Sequence, residues 1–469
     1  MNESRAKIVC TIGPSSVNRT VLFHLIKSGM DVARLNFSHG SHEAHREAIK
    51  LIREGSGKFK KTVSILQDLQ GIKIRVGLFE NGGTELRKGG SVNIRPGEGT
   101  GNGSTIYVSY PALLKDAKKG DRILLDDGLM ELRVTGKSGE ALIARVITGG
   151  TLKNRKGVNL PGMKISHRSF TDKDRKDLEL GIKMAVDYVA ISFVRDARDI
   201  TAVKEFLRQR GKNIPVIAKI EKPEALLNID KILDVSDGIM IARGDLGVEV
   251  APEEVPLIQK ALIKKANNKG KIVITATQML ESMKENPRPT RAEATDVANA
   301  VIDGTDALML SAETASGEYP VEAFLMMDRI ISHTEQTQRP SAGYNRGNSY
   351  AEALADAACN ASDDIGAKVL VAFTRSGFTA RLVSKFRPRV PIIAFTSDHA
   401  VMTRLPLYWG VTPKYMKPLT STDQMLREVE RALLAEKIVK TGDRIVIIAS
   451  SPLSTTAKTN FMKLHQIGE

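Results

Sequence analysis

The chain has 469 residues, more than one ordinary hydrophobic core holds, so two or three domains are expected. Hydrophobic residues make up 42% of it and no apolar run approaches a membrane span, which predicts a soluble globular protein without a membrane partner. Lys and Arg outnumber Asp and Glu 69 to 54, and this excess attracts anions of any kind. Aromatic residues are only 5% and the lysines are scattered, so we expect a solvated surface and no nucleic-acid partner.

The N-terminus and the cysteines indicate a cellular compartment. The first five residues, Met1 to Arg5, run directly into a predicted strand without the apolar stretch of a signal peptide. The two cysteines, Cys10 and Cys359, are far apart, which excludes a disulfide framework and a Cys-rich metal site. We therefore expect a cytoplasmic location.

Eight short apolar segments alternate with helix-like stretches in the first two-thirds of the chain. They are Ile8–Gly13, Asp31–Ser38, Val63–Gly71, Tyr188–Val194, Val216–Glu221, Gly238–Asp245, Lys271–Thr277 and Ala307–Glu313. This alternation predicts an α/β fold, a (β/α)8 TIM barrel covering residues 1–71 and 171–339. Active sites of such barrels lie at the C-terminal ends of the strands, and each segment ends there in polar or charged residues.

A long insertion separates the third segment from the fourth. It contains short alternating runs broken by turn signals, at Ser91–Ile94, Thr105–Ser109, Arg122–Leu125, Met130–Thr135 and Ala141–Ile147. We predict an inserted all-β lid domain over residues 72–170. Because it follows a barrel strand, it is expected to cover the C-terminal mouth.

The pattern restarts after Arg339-Pro340. A helix-like stretch at Tyr350–Asp363 precedes strand-like runs at Val369–Phe373, Ile392–Thr396 and Arg444–Ala449. We predict a C-terminal open α/β domain over residues 340–469.

Several predicted strand ends carry polar residues two positions apart, which share a face on a strand. These sets are Arg34 with Asn36 and Ser38, Lys219 with Glu221, Arg243 with Asp245, and Ser311 with Glu313. Asp68 and Thr277 end two further segments. Such a concentration at one end of the barrel indicates a functional site.

Glu221 and Asp245 end successive predicted strands, so their carboxylates can converge. Two carboxylates with room for water and substrate oxygens are typical of Mg²⁺ or Mn²⁺ sites that handle phosphate. The alternative is a charge network in which each carboxylate pairs with a cation such as Lys219 or Arg34. We favour the metal site, because buried cations also require an anionic substrate.

Six motifs occur in order at these strand ends and beyond. They are Ala33–Gly40 (ARLNFSHG), Lys219–Glu221 (KIE), Met240–Gly247 (MIARGDLG), Thr277–Met283 (TQMLESM), Asn286–Glu293 (NPRPTRAE) and Leu310–Thr314 (LSAET). With them, the chain resembles the pyruvate kinase family over nearly its whole length, including the barrel, the lid and the C-terminal domain.

The resemblance implies transfer of phosphate from phosphoenolpyruvate to ADP, giving pyruvate and ATP. It implies that Glu221 and Asp245 bind Mg²⁺ or Mn²⁺ and that Lys219 and Arg34 contact the phosphoryl group. The substrate carboxylate would be bound by the backbone amides of Gly244 and Asp245 and by the Thr277 hydroxyl.

The resemblance also implies contacts on the nucleotide side and a homotetramer. The nucleotide contacts would come from Asn36, His39, Arg75 and Lys173. Ser311 and Glu313 resemble a proton relay, in which Thr277 passes a proton through water with Glu313 behind it.

One departure concerns a monovalent cation. Many family members have Asp-Thr-Lys-Gly-Pro-Glu where this chain has Asp68-Leu69-Gln70-Gly71-Ile72-Lys73, and the glutamate accompanies a required K⁺. The monovalent region would comprise Asn36, Ser38, Asp68 and Leu69, with the Lys73 ammonium replacing the ion. We predict that K⁺ is not required; the alternative is a simple Lys73–Asp68 ion pair.

A second departure concerns regulation. Thr374–Thr379 matches the family's effector loop, and Thr374, Ser376 and Thr379 could bind a sugar-phosphate or nucleotide effector. The alternative is a strand-to-helix turn with a helix N-cap. The closing segment Ser450–Asn460 lacks the glycines usual in the family, which reduces its backbone freedom.

Two other functions compete with the kinase. One is an enolate-forming aldolase or lyase that keeps the barrel and the metal, but it gives Lys173 and Arg75 no role. The other is a basic barrel that binds RNA or acts as a scaffold.

Overall fold

The computed structural model describes residues 4–338, 349–419, 421–450 and 459–469. Among the helices of these residues, none combines the length and apolar character needed to cross a membrane. The chain opens with two strand–helix units and a third strand. These are β1 (Lys7–Thr11), α1 (Arg19–Ser28), β2 (Val32–Asn36), α2 (His42–Phe59) and β3 (Ser64–Asp68).

Helix α1 illustrates how local sequence sets the element ends. The Asn18 side chain accepts a hydrogen bond from the Val21 amide at the helix start. The helix ends at Gly29, whose φ of 118° is readily available only to glycine.

The insertion forms short strands and one short helix. They are β4 (Leu78–Phe79), β5 (Gly83–Leu86), β6 (Ser91–Pro96), β7 (Thr100–Gly101), β8 (Thr105–Val108), α3 (Leu113–Asp116), β9 (Arg122–Leu125), β10 (Met130–Ser138), β11 (Ala141–Thr148), β12 (Gly150–Lys153) and β13 (Val158–Asn159). The main sheet has the order β13-β9-β10-β11-β6-β8. The insertion has its own hydrophobic core, in which Ile106, Leu132 and Leu142 are fully buried, so it is a separate domain.

The chain then returns to the barrel. Its elements are α4 (Asp172–Lys183), β14 (Tyr188–Ile191), α5 (Ala197–Arg208), β15 (Val216–Ile220), α6 (Pro223–Leu227), α7 (Ile229–Val235), β16 (Gly238–Ala242), α8 (Arg243–Glu249), α9 (Val255–Asn268), β17 (Ile272–Ala276), α10 (Arg291–Ile302), β18 (Ala307–Leu310), α11 (Ala312–Ala315) and α12 (Pro320–Thr337). The parallel strands close in the order β1-β18-β17-β16-β15-β14-β3-β2. The predicted (β/α)8 barrel is confirmed.

The C-terminal domain is an open α/β sheet, as predicted. It consists of α13 (Tyr350–Asp364), β19 (Val369–Phe373), α14 (Phe378–Lys385), β20 (Ile392–Thr396), α15 (His399–Arg404), β21 (Val411–Tyr415), α16 (Thr422–Ala435), β22 (Arg444–Ala449) and β23 (Phe461–Gln466). The sheet order is β21-β20-β19-β22-β23. Sequence analysis missed β21 and β23. Both are edge strands, where residues such as Pro413 and Lys463 are tolerated and the apolar signal is weak.

The C-terminal domain packs against the N-terminal ends of the barrel strands. Leu407 is fully buried among residues that include Val9 and Tyr188. The Tyr188 hydroxyl donates to the Arg404 carbonyl at 2.8 Å. The opposite end of the barrel, where the strands finish, is therefore left to the lid. The domain limits at 71/72, 170/171 and 339/340 stay predictions, and residues 339–348 lie outside the described part of the chain.

Candidate active site

The centre of the mouth is the ammonium group of Lys219, which β15 delivers from the barrel wall. Its Nζ lies 2.9 Å from Glu221 Oε1 and 3.3 Å from Asp68 Oδ1. It also donates to Ser192 Oγ at 2.7 Å. Burial by itself lowers the pKa of Lys219, but the charges of Asp68 and Glu221 outweigh it and raise that pKa above its ordinary value. The site thus holds a permanent buried positive charge.

Asp68 connects Lys219 with a second cation, Arg34. Arg34 Nε and Nη2 each lie 2.7 Å from Asp68 Oδ2, while Nη1 donates to Thr11 Oγ1 at 2.9 Å. Burial acts to raise the pKa of Asp68, but Lys219 and Arg34 lower it overall. Asp68 therefore stays ionised and orients both cations.

Glu221 and Asp245 face the same region of the mouth. Glu221 Oε2 accepts from the Phe193 amide at 2.9 Å. The pKa of Glu221 is raised, first by burial and then by the negative charge of Asp245, against the opposing effect of Lys219. Two carboxylates that repel one another, one of them buried, match the preference of Mg²⁺ or Mn²⁺ for oxygen donors, and a cation between them would relieve the repulsion. The residues fit a divalent cation.

The expectation that Arg243 shares a strand face with Asp245, and Ser311 with Glu313, is wrong. β16 ends at Ala242 and β18 at Leu310, so both pairs lie beyond the strands, where α8 and α11 begin. Residues two apart do not share a face of a helix. Each of these strands ends three residues before the predicted segment does, at Ala242 instead of Asp245 and at Leu310 instead of Glu313.

Arg243 instead supports the neighbouring loop. Its guanidinium pairs with Asp296 at 2.7 Å and donates to the Thr277 carbonyl at 2.8 Å. Thr277 has φ +70° and Gln278 +54°, a left-handed conformation that is costly for a β-branched residue. Such stored strain is frequent at active sites.

Two groups assigned to the substrate carboxylate lie together. Thr277 Oγ1 accepts from the Gly244 amide at 2.8 Å and donates to the Ala276 carbonyl at 2.6 Å. The first residues of α8 thus face the strained loop, which brings Gly244 and Thr277 to one corner of the mouth beside Asp245.

A proton relay between Ser311 and Glu313 would use the Ser311 hydroxyl, but Glu313 binds the Ser311 backbone amide instead. Glu313 is fully buried, and its oxygens accept from the Leu280 and Ser311 amides at 3.1 and 2.6 Å. Burial raises the pKa of Glu313. The hydroxyl of Ser311 is buried and forms no hydrogen bond within the described residues. The contact between the two residues runs through the backbone.

Cations surround His39, which follows β2. The pKa of His39 is lowered, first by burial and then by four positive groups, those of Lys73, Arg75, Arg34 and Lys173. Four positive groups close to one another at the mouth are typical of an anion site.

Two of the residues predicted to contact the nucleotide are held by their neighbours. Lys173 donates to the Phe37 carbonyl at 2.7 Å and to Asp177 at 2.6 Å. Asn36 Oδ1 accepts from the Ser38 amide at 3.1 Å, which shapes the turn that leads to His39.

Lys73 lines the same cleft as Asp245, near enough to both carboxylates to feel their charges. Its pKa is lowered, first by burial and then by Arg75, while Asp245 and Glu221 oppose that shift. In the part of the chain that the structure describes, no ion pair joins Lys73 to Asp68. This geometry disfavours the simple ion-pair alternative.

Sequence analysis missed two residues of this site. Ser192 bonds to Lys219 and also donates to the Leu69 carbonyl at 2.8 Å. Phe193, with φ +56°, supplies the amide that binds Glu221. Both lie near the end of the predicted segment Tyr188–Val194. Neither is charged, so their position after a strand was the only feature of the sequence that could have identified them.

The predicted effector loop lines a cavity of about 560 Å³ in the C-terminal domain. Thr374 Oγ1 is buried without a hydrogen-bond partner among the described residues, and Thr379 Oγ1 lies 2.8 Å from Thr459 Oγ1. The segment joins β19 to α14, as the strand-to-helix alternative predicted, but the N-cap residue is Gly377 and no side chain caps the helix. Of the closing segment Ser450–Asn460, residues 451–458 lie outside the described part of the chain.

Comparison with known proteins places this geometry in a family. The model of the pyruvate kinase barrel domain matches residues 3–324, and that of the pyruvate kinase alpha/beta domain matches residues 352–465. The chain belongs to the pyruvate kinase family. It is accordingly a phosphotransferase.

Individual pyruvate kinases are similar over nearly the full chain. That of Geobacillus stearothermophilus is 47% identical over 99% of this chain and 81% of its own length. That of Corynebacterium glutamicum is 44% identical over 100% of this chain and 98% of its own. A crystal structure of a pyruvate kinase from Cryptosporidium parvum superposes with a TM-score of 0.93 at 36% identity, covering 99% of this chain and 96% of the other.

Proposed function

We propose that this pyruvate kinase transfers the phosphoryl group of phosphoenolpyruvate to ADP, giving pyruvate and ATP, with Mg²⁺ or Mn²⁺ bound by Glu221 and Asp245. The observation that carries the proposal is the buried Lys219 ammonium, 2.9 and 3.3 Å from two carboxylates at the barrel mouth. When bound, the divalent cation supplies positive charge to phosphoryl oxygens.

Phosphoryl transfer needs positioning and positive charge more than covalent help. The bond between phosphorus and the enol oxygen breaks, and a bond between phosphorus and a terminal oxygen of ADP forms. Lys219 and Arg34, fixed by Asp68, neutralise the charge on the phosphoryl oxygens during transfer. His39, Arg75 and Lys173 bind the ADP phosphates from the lid side, supported by the cation cluster around His39.

Loss of the phosphoryl group leaves an enolate, whose oxygen keeps the electron pair of the broken bond. Lys219 stabilises that charge until the methylene carbon accepts a proton. The substrate carboxylate takes the Gly244 amide that now binds Thr277 Oγ1, which frees a lone pair of that oxygen to accept from and orient a water. The water gives its proton to the methylene carbon and takes up another from solvent. The Glu313 side chain stabilises the loop through the Leu280 amide.

The ammonium of Lys73 replaces K⁺ in this proposal. Support comes from its position among Arg75, Asp245 and Glu221, where a monovalent positive charge would meet the substrate phosphate. Asn36, Ser38, Asp68 and Leu69 shape that region.

A phosphorylated effector, a sugar phosphate or a nucleotide, binds in the C-terminal cavity. The hydroxyl of Thr374, which is buried and lacks a partner within the described residues, supports this, as do the Ser376 and Thr379 side chains that line the cavity.

A coupled assay of pyruvate release with and without ADP tests the main proposal. Strict dependence on ADP is expected. Release without ADP would favour an aldolase or lyase, and absence of turnover would favour a binding or scaffolding role.

A further inference from the structure

A polar contact joins the lid to the barrel at a single carboxylate oxygen. Glu249 Oε1 accepts from the Asn159 side-chain amide at 2.8 Å and from Lys222 Nζ at 2.5 Å. Asn159 lies on β13 of the lid, whereas Lys222 and Glu249 belong to the barrel. We call these three residues the lid clasp.

The barrel half of the lid clasp is buried. The side chains of Lys222 and Glu249 are 8% and 1% exposed. Glu249 Oε2 has no hydrogen-bond partner within the described residues, so Oε1 alone serves both donors. The ammonium of Lys222 pairs with this buried carboxylate, and a hydrogen bond from the lid amide to a charge-paired oxygen is stronger than one between neutral groups.

Both barrel residues of the lid clasp are directly connected to the metal-binding pair. Lys222 follows Glu221 in the chain, and its ammonium lies 6.0 Å from the centre of the Phe193 ring. Phe193 in turn donates its amide to Glu221. Glu249 is the last residue of α8, the helix that carries Asp245 in its first turn. A displacement of Lys222 or Glu249 would therefore be transmitted to the elements that position Glu221 and Asp245.

The lid clasp also borders the cleft between the two domains. Asn159 and Lys222 line that cleft together with Lys73, Asp127 and Asp245. A molecule bound in this cleft would therefore contact residues of the lid clasp.

We propose that Asn159, Glu249 and Lys222 are positioning residues that hold the lid over the nucleotide side of the active site and register it against the helix bearing Asp245. The inference rests on the phosphoryl transfer proposed above and adds to it. The lid clasp does not touch the reacting atoms, so its contribution is to the closed geometry in which the lid residue Arg75 can reach the nucleotide.

The test is steady-state kinetics of Asn159→Ala. Losing one hydrogen bond to a charged group is expected to lower kcat/KM for ADP by about tenfold, while KM for phosphoenolpyruvate changes by less than about twofold. Asn93→Ala, at an exposed asparagine on β6 of the same lid, is the matched control and should behave as the wild type.

Two further variants separate the lid clasp from a purely structural role. Asn159→Asp is of equal size but sets a second carboxylate against Glu249, so it should lower kcat/KM for ADP more than Asn159→Ala does. In the double variant with Glu249→Gln the amide and the carboxylate exchange places, and part of the lost kcat/KM should return.

The outcomes are separable. Wild-type values of kcat/KM for ADP in Asn159→Ala, or a lowered Tm with unchanged kinetics, overturn the inference. A wild-type chain that releases no pyruvate from phosphoenolpyruvate and ADP contradicts the proposed function itself, and the lid clasp with it.

Discussion

Arg34 binds one oxygen of Asp68 through two nitrogens, each at 2.7 Å, and leaves the other oxygen to Lys219. One buried carboxylate therefore fixes two cations from different strands, β2 and β15. Because Asp68 is ionised and nearly inaccessible, the cations keep their spacing before any substrate arrives. Preorganised charge of this kind acts mainly on the transition state.

Replacing Lys219 with methionine keeps the stem and removes the charge. We expect kcat to fall by a factor on the order of 10²–10⁴ while KM for phosphoenolpyruvate changes little, as for comparable charge deletions. Steady-state kinetics measure this. Lys176→Met, at an exposed site on α4, is the matched control. Near-normal turnover of Lys219→Met would remove that residue from the mechanism.

The proposed divalent site predicts that Asp245→Asn weakens binding of Mn²⁺. We expect at least about a tenfold rise in Kd, since even outer residues of metal sites have effects of that size. Calorimetric titration of the free protein with Mn²⁺ measures it independently of turnover. Asp172→Asn serves as control because that side chain is fully exposed. Unchanged affinity would contradict the assignment.

The position of Lys73 predicts activity without K⁺. With a divalent metal present, replacing K⁺ by a tetraalkylammonium salt should leave the rate unchanged. Lys73→Glu introduces the glutamate that the resemblance implies for K⁺-dependent members and should make the rate depend on K⁺. The control Lys88→Glu, at an exposed lysine of the lid, should leave the rate independent of K⁺. A large loss of wild-type activity in the potassium-free assay would refute the prediction.

Lys385 predicts a pH-dependent stability of the domain contact. It donates to Asp306 at 2.6 Å and Asn267 at 3.0 Å, with Arg387 and Arg381 nearby. Burial lowers its pKa from 10.5 to about 8, Asp306 opposing and Arg387 adding to the shift. The unfolded chain therefore binds more protons between these values, and this lysine adds stability as the pH rises from about 8 to 10.5.

The comparison of Lys385→Met with the wild type measures that contribution. The Tm difference, wild type minus variant, should increase as the pH is raised through that window. Lys440→Met, at an exposed lysine of the same domain, should show no such trend. A pH-independent difference for Lys385→Met would contradict the prediction.

The C-terminal cavity predicts binding of a phosphorylated effector. Thr379→Glu places a negative charge at its wall and should abolish activation by any sugar phosphate or nucleotide that activates the wild type, without changing kcat at saturating substrate. The measurement is initial rate against effector concentration. Equal activation of the variant and the wild type would argue against this cavity as the effector site.

The sequence alone predicted the barrel, because eight apolar segments that alternate with helix-like stretches and end in polar residues are typical of a (β/α)8 barrel. It also pointed to Lys219, Glu221, Asp68 and Asp245, since the C-terminal ends of parallel strands converge. Strand periodicity failed at Arg243 and Ser311, where the chain leaves the strand for a helix and the two-residue repeat no longer applies.

Only the tertiary structure decided how the groups pair. Asp68 binds Arg34 and Lys219 instead of Lys73, and Glu313 binds backbone amides. Glu249 meets a lid residue 90 positions away. Hydrogen bonds depend on distances of a few tenths of an ångström between segments remote in the chain, and no local pattern of residues encodes such distances.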